Sequence, residues 1–183
     1  MIVIETKKIS KYTNDLKSQT AIIAALADEI WHEHFPSVIG ETQIDYMLKK
    51  FQSADRIYED IISGGFTYFL AEREKGKEKV AYCAVKSNED FMLLSKLYVK
   101  KDYRGMGVAR SFLEEVSALC RECGLGKIRL TVNKHNSGPI AAYEKMGFRT
   151  VDSVMTDIGE GFFMDDYIME LRITVATADS RRG

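Results

Sequence analysis

Apolar positions recur at two different spacings along the chain, and the change of spacing separates helices from strands. Residues 14–33 carry apolar side chains at helical spacing, and Pro36 is predicted to end that helix. The same spacing returns in residues 41–51, and again between Ser53, the predicted N-cap, and Gly64. The first third of the chain is therefore predicted to hold three helices, preceded by a strand over residues 1–6.

Three strands follow in close succession. Residues 67–72, 80–86 and 91–99 are rich in apolar side chains and are separated by short polar turns, a pattern typical of an antiparallel meander. The last of the three is almost continuously apolar. We therefore expect it to be covered on both faces of a sheet.

Further helices and strands are predicted after this meander. A long amphipathic helix extends to Cys123, and residues 127–132 alternate as the next strand. Because it follows a helical crossover, this strand should run parallel to residues 91–99. A short helix beginning near Pro139 and a hairpin within residues 148–173 complete the pattern. The predicted fold is α/β (α+β), with a central mixed, mostly antiparallel sheet of about seven strands flanked by helices.

Length and composition indicate one ordinary domain. The chain has 183 residues, of which 45% are apolar, and only two prolines, which suits a compact core. We expect a single domain over residues 1–173 and a polar tail over residues 174–183. A formal net charge of −1 argues against a nucleic-acid partner. No apolar run has the length of a signal-peptide core or a membrane span, so we expect a cytoplasmic protein.

The three cysteines fit a reducing compartment better than a disulfide scaffold. Cys120 and Cys123 have C-x-x-C spacing, but they lie late in a predicted helix with no second pair of ligands nearby. Redox pairs lie at helix starts, where the dipole lowers the thiol pKa. Both cysteines are therefore interpreted as packing residues rather than as a redox pair or a zinc site.

A basic glycine loop separates residues 91–99 from the long helix. Gly105 and Gly107 let another molecule approach the backbone closely, and the first N–H groups of a helix are free to bind an anion. The cations around the glycines are Lys100, Lys101, Arg104 and Arg110. A phosphate or pyrophosphate is the ligand that this combination favours, although glycine spacing alone fits an ordinary strand-to-helix turn equally well.

Two common phosphate-binding motifs do not match this loop. A P-loop ends in Gly-Lys-Ser or Gly-Lys-Thr, whereas Val108 and Ala109 follow Gly107 here. A dinucleotide fingerprint needs a third glycine where this chain has Arg110. It also needs an acidic residue about 20 positions further on, where the chain has residues 127–130 (KIRL). Nucleotide hydrolysis and nicotinamide binding are both disfavoured.

Two segments resemble signatures of the GNAT superfamily of acyl-CoA-dependent N-acyltransferases. Residues 104–109 (RGMGVA) fit its pattern of Gln or Arg, two residues, Gly, one residue, then Gly or Ala. Downstream, the family has an Asn followed seven residues later by Tyr, and then Lys, Gly and Phe. The matching residues here are Asn136, Tyr143, Lys145, Gly147 and Phe148. The resemblance covers residues 67–173 closely and the first third of the chain loosely.

The resemblance implies a fold and a co-substrate. In the family, a parallel pair of strands splays apart and admits the pantetheine arm of coenzyme A. The glycine loop holds the pyrophosphate through its backbone amides, and the strand before it binds pantetheine through its main chain. The residues that the resemblance implies for acetyl-CoA binding are Leu97, Tyr98, Val99, Arg104, Gly105, Met106, Gly107, Val108, Ala109, Arg110, Asn136 and Tyr143.

The resemblance also implies how the reaction is catalysed. Tyr143 matches the position that commonly protonates the departing thiolate, and a backbone N–H of the splayed strand would stabilise charge on the thioester oxygen. The acceptor amine must lose a proton before it attacks. Family members often carry a Glu on the central strand for this purpose, whereas this chain has Ser95 and Lys96 there. The base is therefore left open, and a water relay is an alternative.

Several other residues allow more than one interpretation. His32 and His34 lie two apart and so do not share a helix face, which favours a helix end over a metal site. Trp31, Phe35 and Tyr46 are predicted to lie in the core or in the wall of a groove. The final hairpin carries an acidic group, interpreted either as solvated turn charge or as charge that attracts a cationic acceptor: Asp157, Glu160, Asp165 and Asp166.

The predicted function is transfer of an acetyl group from acetyl-CoA to a primary amine in a ternary complex, without a metal. A small cationic molecule is the favoured acceptor, with a protein or peptide amine as an alternative. Assembly into a homodimer is left open. A catalytically silent acyl-CoA-binding protein is the competing class, and a nicotinamide-dependent oxidoreductase is a weaker one.

Overall fold

The computed structural model describes residues 4–74 and 76–174, and its helices and strands follow the predicted order. The strands are β1 (Ile4–Ile9), β2 (Phe66–Arg73), β3 (Glu78–Ser87), β4 (Met92–Val99), β5 (Lys127–Asn133), β6 (Arg149–Gly159) and β7 (Phe162–Arg172). The helices are α1 (Leu16–His34), α2 (Pro36–Ile39), α3 (Glu41–Phe51), α4 (Ala54–Ile62), α5 (Val108–Glu122) and α6 (Ser137–Lys145). None of these helices is long and apolar enough to cross a membrane.

All seven strands belong to one sheet, in the order β1-β2-β3-β4-β5-β7-β6. Every neighbouring pair is antiparallel except β4 and β5, which are parallel. Helix α5 connects these two strands, as the crossover predicts. The mixed, mostly antiparallel sheet with one parallel pair is therefore confirmed.

Some boundaries in the chain differ from the prediction. Strand β1 continues to Ile9, beyond the predicted end at residue 6, because Ile9 is fully buried and pairs with Tyr68. Helix α1 ends at His34, but Pro36 then starts the short α2, at a position where its missing N–H is tolerated. Residues 1–3 and the tail from residue 175 lie outside the described part, so the prediction of one domain with a polar tail stays a prediction.

Helices cover both faces of the sheet and create two apolar cores. On one face, α5 buries Phe112, Val116 and Cys120 against β4 and β5. On the other face, α1, α3 and α4 bury residues such as Ile30 and Ile57 against β2 and β3. The Cys120 thiol is buried and burial raises its pKa, whereas Cys123 is exposed at the end of α5.

Strands β4 and β5 remain paired over only a short length. Their register pairs Met92 with Ile128 and Leu93 with Arg129, and no further pairs follow within the described strands. Ser95 is an extra residue in β4, because β3 pairs Val85 with Leu94 and Ala84 with Lys96. Such a bulge bends a strand, and it lies where β4 leaves β5. The predicted splay is thus confirmed.

The prediction that residues 91–99 are covered on both faces is wrong for the second half of β4. Met92 and Leu94 are buried, but Ser95 is exposed and Leu97 to Val99 are only half-buried. The physical reason is the separation from β5, which leaves this part of β4 without a neighbouring strand on one edge. Apolar side chains beyond the bulge therefore pack against the two cores and also line an open cleft.

Candidate active site

A cleft of about 690 Å³ opens where β4 and β5 separate, a volume typical of small-molecule sites. Strands β4, β5 and β7, the glycine loop, α6 and the end of α1 contribute to its walls. Among the predicted acetyl-CoA residues, Met106 does not line the cleft and is 52% exposed. The predicted residues that do line it are Leu97, Tyr98, Val99, Arg104, Gly105, Gly107, Val108, Ala109, Arg110, Asn136 and Tyr143.

The glycine loop presents bare backbone to the cleft. Gly105 has φ 76° and Gly107, the N-cap of α5, has φ 86°, left-handed values that favour glycine. A Cβ built on either glycine would meet no atom within 4 Å. The loop thus leaves room above it, next to the unpaired first amides of α5. This geometry fits a bound pyrophosphate.

Only part of the predicted basic cluster reaches the cleft. Arg104 and Arg110 line it, together with Lys145 from α6. Lys100 instead forms an ion pair with Glu29 of α1, with 2.8 Å between Nζ and Oε1. Three cations therefore line the cleft, two of them at the glycine loop and the start of α5, and they favour a ligand with negative charge.

His34, at the end of α1, connects two of the predicted cofactor residues. Its Nδ1 lies 3.3 Å from an Arg104 guanidinium nitrogen, and its Nε2 lies 3.0 Å from Oδ1 of Asn136. Arg104 can only donate, so Nδ1 accepts, and a neutral ring then donates from Nε2 to Asn136. The Arg104 Nε also donates to the Val99 carbonyl at 3.0 Å. These contacts hold α1 against the glycine loop and the start of α6.

No pattern in the sequence indicated this role for His34. Its partner Asn136 is 102 positions away, and helical spacing says nothing about contacts between distant segments. The interpretation of His34 as part of a helix end is correct in position, but it omitted the contact across the cleft. The only available signal was that Asn136 belongs to the second GNAT-like segment.

Tyr143 lies on α6 and faces the cleft beside Tyr98. Its ring packs edge-on against Phe148, with 5.5 Å between ring centroids and 64° between ring planes. Burial raises the pKa of Tyr143 above its ordinary value. The hydroxyl therefore stays protonated at neutral pH, as a proton donor must.

Asp166, on β7, supplies an acidic group to the same cleft. The residue is 4% exposed, and its Oδ1 has no hydrogen-bond partner within the described part of the chain. Burial raises the pKa of Asp166 to about 6, while a hydrogen bond from Thr131 partly opposes this shift. A buried carboxylate oxygen without a partner is uncommon and calls for an explanation.

The other acidic residues of the final hairpin do not line the cleft. Asp165 forms an ion pair with Lys134. The Asp157 carboxylate accepts the backbone N–H of Gly159 in the turn at 2.8 Å. Glu160 is a turn residue with φ 54°. Solvated turn charge therefore describes Asp157 and Glu160, whereas Asp166 differs from both.

Lys96 points away from the cleft. Its Nζ lies 3.1 Å from Oδ2 of Asp60 and donates to the Tyr68 hydroxyl at 2.7 Å. Burial lowers the pKa of Lys96, and the Asp60 charge opposes this shift. Of the two β4 residues that replace the family's common Glu, only Ser95 lines the cleft. Strand β4 therefore offers no carboxylate for a base.

The remaining histidine and aromatic residues have structural contacts. His32 bonds to the Asp28 carbonyl at 3.0 Å and to the Asp45 carboxylate at 3.1 Å, and the Asp28 bond raises its pKa most. Within residues 4–74 and 76–174, no cluster of His, Cys, Asp or Glu could hold a metal ion. Trp31 and Phe35 are buried and line the cleft, whereas Tyr46 donates to the Ile158 carbonyl at 2.6 Å outside it.

A family described as the acetyltransferase (GNAT) domain matches residues 36–166. The matched segment contains the glycine loop, the splayed strands and Tyr143. The chain belongs to the GNAT acetyltransferase family. Membership confirms the predictions of an acyl-CoA-dependent N-acetyltransferase and of acetyl-CoA as its co-substrate.

Individual GNAT proteins resemble the chain at low identity. It is 23% identical to the spermidine N(1)-acetyltransferase of Thermoplasma acidophilum, over 88% of this chain and 96% of the relative. It is 27% identical to the thialysine N-epsilon-acetyltransferase of Caenorhabditis elegans, over 61% of this chain and 68% of the relative. The structure of the PaiA N-acetyltransferase from T. acidophilum in complex with coenzyme A is similar with a TM-score of 0.77. That likeness, at 21% identity and covering 93% of this chain and 99% of the other, shows the fold.

Proposed function

We propose that this GNAT protein transfers the acetyl group of acetyl-CoA to the primary amine of a small cationic molecule. One observation carries the proposal: the two GNAT-like segments of the sequence meet at a single cleft whose ends differ in charge. Arg104 and Arg110 line the cleft from the glycine loop and the first turn of α5, Lys145 lines it from α6, and the carboxyl group of Asp166 belongs to the β7 wall. Opposite charges along one cleft suit an anionic donor and a cationic acceptor.

The donor end has the parts that coenzyme A requires. The open backbone over Gly105 and Gly107 fits the pyrophosphate. Beyond the bulge, β4 has no β5 partner within the described strands. Backbone groups on that edge are therefore free to hydrogen-bond the pantetheine arm, and one N–H is free to stabilise charge on the thioester oxygen.

The acceptor end is built by the helices before the meander and by β7. Ile39, Gln43 and Met47 line the cleft there with Met164 and Asp166. An apolar wall with one carboxyl group suits an alkyl amine better than an anionic or large polar substrate. Two relatives, a spermidine N(1)-acetyltransferase and a thialysine N-epsilon-acetyltransferase, support the same class of acceptor.

Tyr143 is the proposed proton donor in this reaction. The acceptor nitrogen attacks the acetyl carbon, the N–C bond forms, and the C–S bond breaks. Sulfur leaves as a thiolate, and a proton from the Tyr143 hydroxyl converts it to a thiol. The raised pKa of Tyr143 keeps that proton in place until sulfur accepts it.

The experiment combines an acceptor panel with Tyr143→Phe. Thiol release from acetyl-CoA is measured against polyamines, aminoglycosides, amino acids and peptides. With the best acceptor, Tyr143→Phe should lower kcat by about 10²- to 10⁴-fold and leave acetyl-CoA affinity, measured by calorimetry, little changed. Tyr167→Phe is the matched control, because Tyr167 packs against the core without lining the cleft, and it should keep wild-type kcat.

Other outcomes would favour the alternatives. Turnover with peptides only would favour a protein or peptide acceptor. Acetyl-CoA binding without turnover of any amine would favour a silent acyl-CoA-binding protein. Nearly full activity in Tyr143→Phe, with a loss of acetyl-CoA affinity in Tyr143→Ala, would make Tyr143 a packing residue.

A further inference from the structure

One charged residue of the cleft has no part in the proton donation proposed for Tyr143. Among the described residues that line the cleft, Asp166 is the only carboxylate. The described cations that line the cleft are Arg104, Arg110 and Lys145, and none forms an ion pair with Asp166. The protein therefore supplies no counter-ion for this group from its own cleft residues.

The immediate surroundings of Asp166 make this arrangement unusual. Asp166 is 4% exposed, and its Oδ1 is buried without a partner in the described part of the chain. The neighbouring Lys134 pairs with Asp165 instead. A buried carboxyl group that has one unpaired oxygen and no counter-ion among the described residues disfavours folding unless a ligand satisfies it. The geometry thus indicates a ligand that brings a positive charge and hydrogen-bond donors.

The groups that face Asp166 place it next to the proposed chemistry. Asp165 lies beside it on β7 and Lys134 follows β5, while Thr131 faces it from β5. Tyr98 of β4 lines the same cleft, and burial raises the pKa of its hydroxyl most, followed by Tyr143 and then by the charge of Asp166. Asp166 and the proposed proton donor therefore line one cleft with Tyr98.

We propose that Asp166 holds the ammonium group of the acceptor and takes its proton before attack. This inference rests on the proposed function. A carboxylate and an ammonium ion bind through charge-assisted hydrogen bonds, and transfer of one proton to Asp166 frees the nitrogen lone pair. The N–C bond then forms and the C–S bond breaks. Tyr143 gives its proton to the thiolate and recovers one from the acylated nitrogen, and Asp166 returns its proton to solvent.

The pKa of Asp166 suits the role of a base. Its pKa of about 6 leaves it ionised at neutral pH but makes it a stronger base than an ordinary Asp. It replaces the carboxylate that β4 lacks, on a neighbouring wall of the same cleft. The water relay left open by the sequence is then unnecessary for the first proton.

The test compares Asp166→Asn with Asp165→Asn, using spermidine as the acceptor probe. Asp165→Asn is a matched control, since it removes the same charge one position away without touching the cleft. At pH 7, Asp166→Asn should lower kcat/KM by about 10²- to 10³-fold, and Asp165→Asn by less than about 3-fold.

The pH profile distinguishes proton transfer from simple attraction. Wild-type kcat/KM should rise through about pH 6 and level off, because Asp166 must be ionised. In Asp166→Asn that step should vanish, and kcat/KM should instead climb towards the amine pKa near ~10, where the neutral amine becomes available. Calorimetry with spermidine and the protein loaded with coenzyme A should show at least a tenfold weaker Kd for Asp166→Asn.

The possible failures are distinguishable. If wild type acetylates an amine and Asp166→Asn keeps both its kcat/KM and the step near pH 6, the role of Asp166 is overturned and the proposed function stands. A wild type that turns over no amine would overturn both. Lower activity in Asp166→Asn with the step near pH 6 retained would also overturn the proton-transfer role, because another group would then be the base.

Discussion

Asp60 and Asp166 are both 4% exposed, and both lie on the side of the sheet that α1, α3 and α4 cover. Asp60 is surrounded by donors. Its Oδ1 lies 2.8 Å from Nε of Arg56, and its Oδ2 lies 3.1 Å from both Lys96 Nζ and the Tyr68 hydroxyl. The Oδ1 of Asp166 has no such partner among the described residues.

The difference between the two carboxyl groups follows from the backbone around them. Asp60 is a residue of α4 that contacts the sheet, where Tyr68 of β2 and Lys96 of β4 surround its carboxylate; both strands pair with β3. Asp166 pairs with Asn133 at the end of β5, beyond the last described pair between β4 and β5, and it lines the cleft that opens there. Burial with partners indicates a structural role, whereas burial without partners beside a cleft indicates a site for a ligand.

Removing the charge of Asp60 should have the largest effect on stability. Asp60→Asn would leave the buried Lys96 ammonium without its counter-ion, and breaking a buried ion pair in this way costs about 3–5 kcal/mol. Urea denaturation monitored by circular dichroism measures the loss. Asp55→Asn on the same helix is the control, because Asp55 is exposed and should lose less than about 1 kcal/mol. Equal stabilities for the two variants would refute the structural role of Asp60.

Asp166→Asn should change stability in the opposite direction. The pKa of Asp166 is about 6 in the folded protein against 3.8 for the free side chain, so the folded state binds this proton more tightly than the unfolded state. The tighter proton binding stabilises the folded protein fully below pH 3.8, and this stabilisation is lost as the pH rises through 6. Asn cannot ionise, so Asp166→Asn avoids this loss. At 1.36 kcal/mol for each pKa unit, its free energy of unfolding should exceed that of wild type by about 3 kcal/mol at pH 8.

The pH dependence of this gain is the decisive measurement. Urea denaturation of wild type and Asp166→Asn at pH 5 and pH 8 should show a gain about half as large at pH 5. A variant that is more stable yet nearly inactive would show that the wild-type carboxylate is kept for its chemistry. A less stable Asp166→Asn at pH 8 would mean that Asp166 has structural partners in solution.

Much of the fold could be predicted because its signals are local. Helical spacing, a predicted cap at Ser53 and alternating strands gave the order of elements. The cap is present, with the Ser53 hydroxyl accepting the Arg56 N–H at 3.3 Å. The bulge at Ser95 was not predictable, since it depends on how β3 pairs with β4. This one extra residue also places Lys96 on the α4 side of the sheet rather than on the α5 side with Leu94.

The site was predictable where the motif fixes the backbone and not where distant segments meet. Residues 104–109 and Tyr143 were located by short patterns. The contact between His34 and Asn136 joins residues 102 positions apart, which no local pattern encodes. The acidic hairpin was recognised as a group, but alternation alone could not tell whether Asp165 or Asp166 faces inward. Their register with β5 and the pairing of Asp165 with Lys134 decide it.

The smallest expected effect concerns the hydroxyl of Tyr68, which completes the Asp60 cluster. It donates to Asp60 at 3.1 Å and accepts from Lys96 at 2.7 Å. Tyr68→Phe keeps the ring and removes both bonds, which should cost about 1–2 kcal/mol because the partners are charged and stay buried. Tyr12→Phe is the control, since Tyr12 is 83% exposed and should be unchanged.

The pH dependence of Tyr68→Phe should also differ from that of Asp166→Asn. Burial, followed by the charge of Asp60, raises the pKa of Tyr68 well above its ordinary value. The hydroxyl is therefore neutral in both the folded and the unfolded protein below about pH 9. The loss in Tyr68→Phe should consequently be the same at pH 6 and pH 8 by urea denaturation. A loss of stability that changes between these pH values, or a stabilised Tyr68→Phe, would show that the three donors described do not satisfy the Asp60 carboxylate. The contrast with Asp166 would then no longer hold.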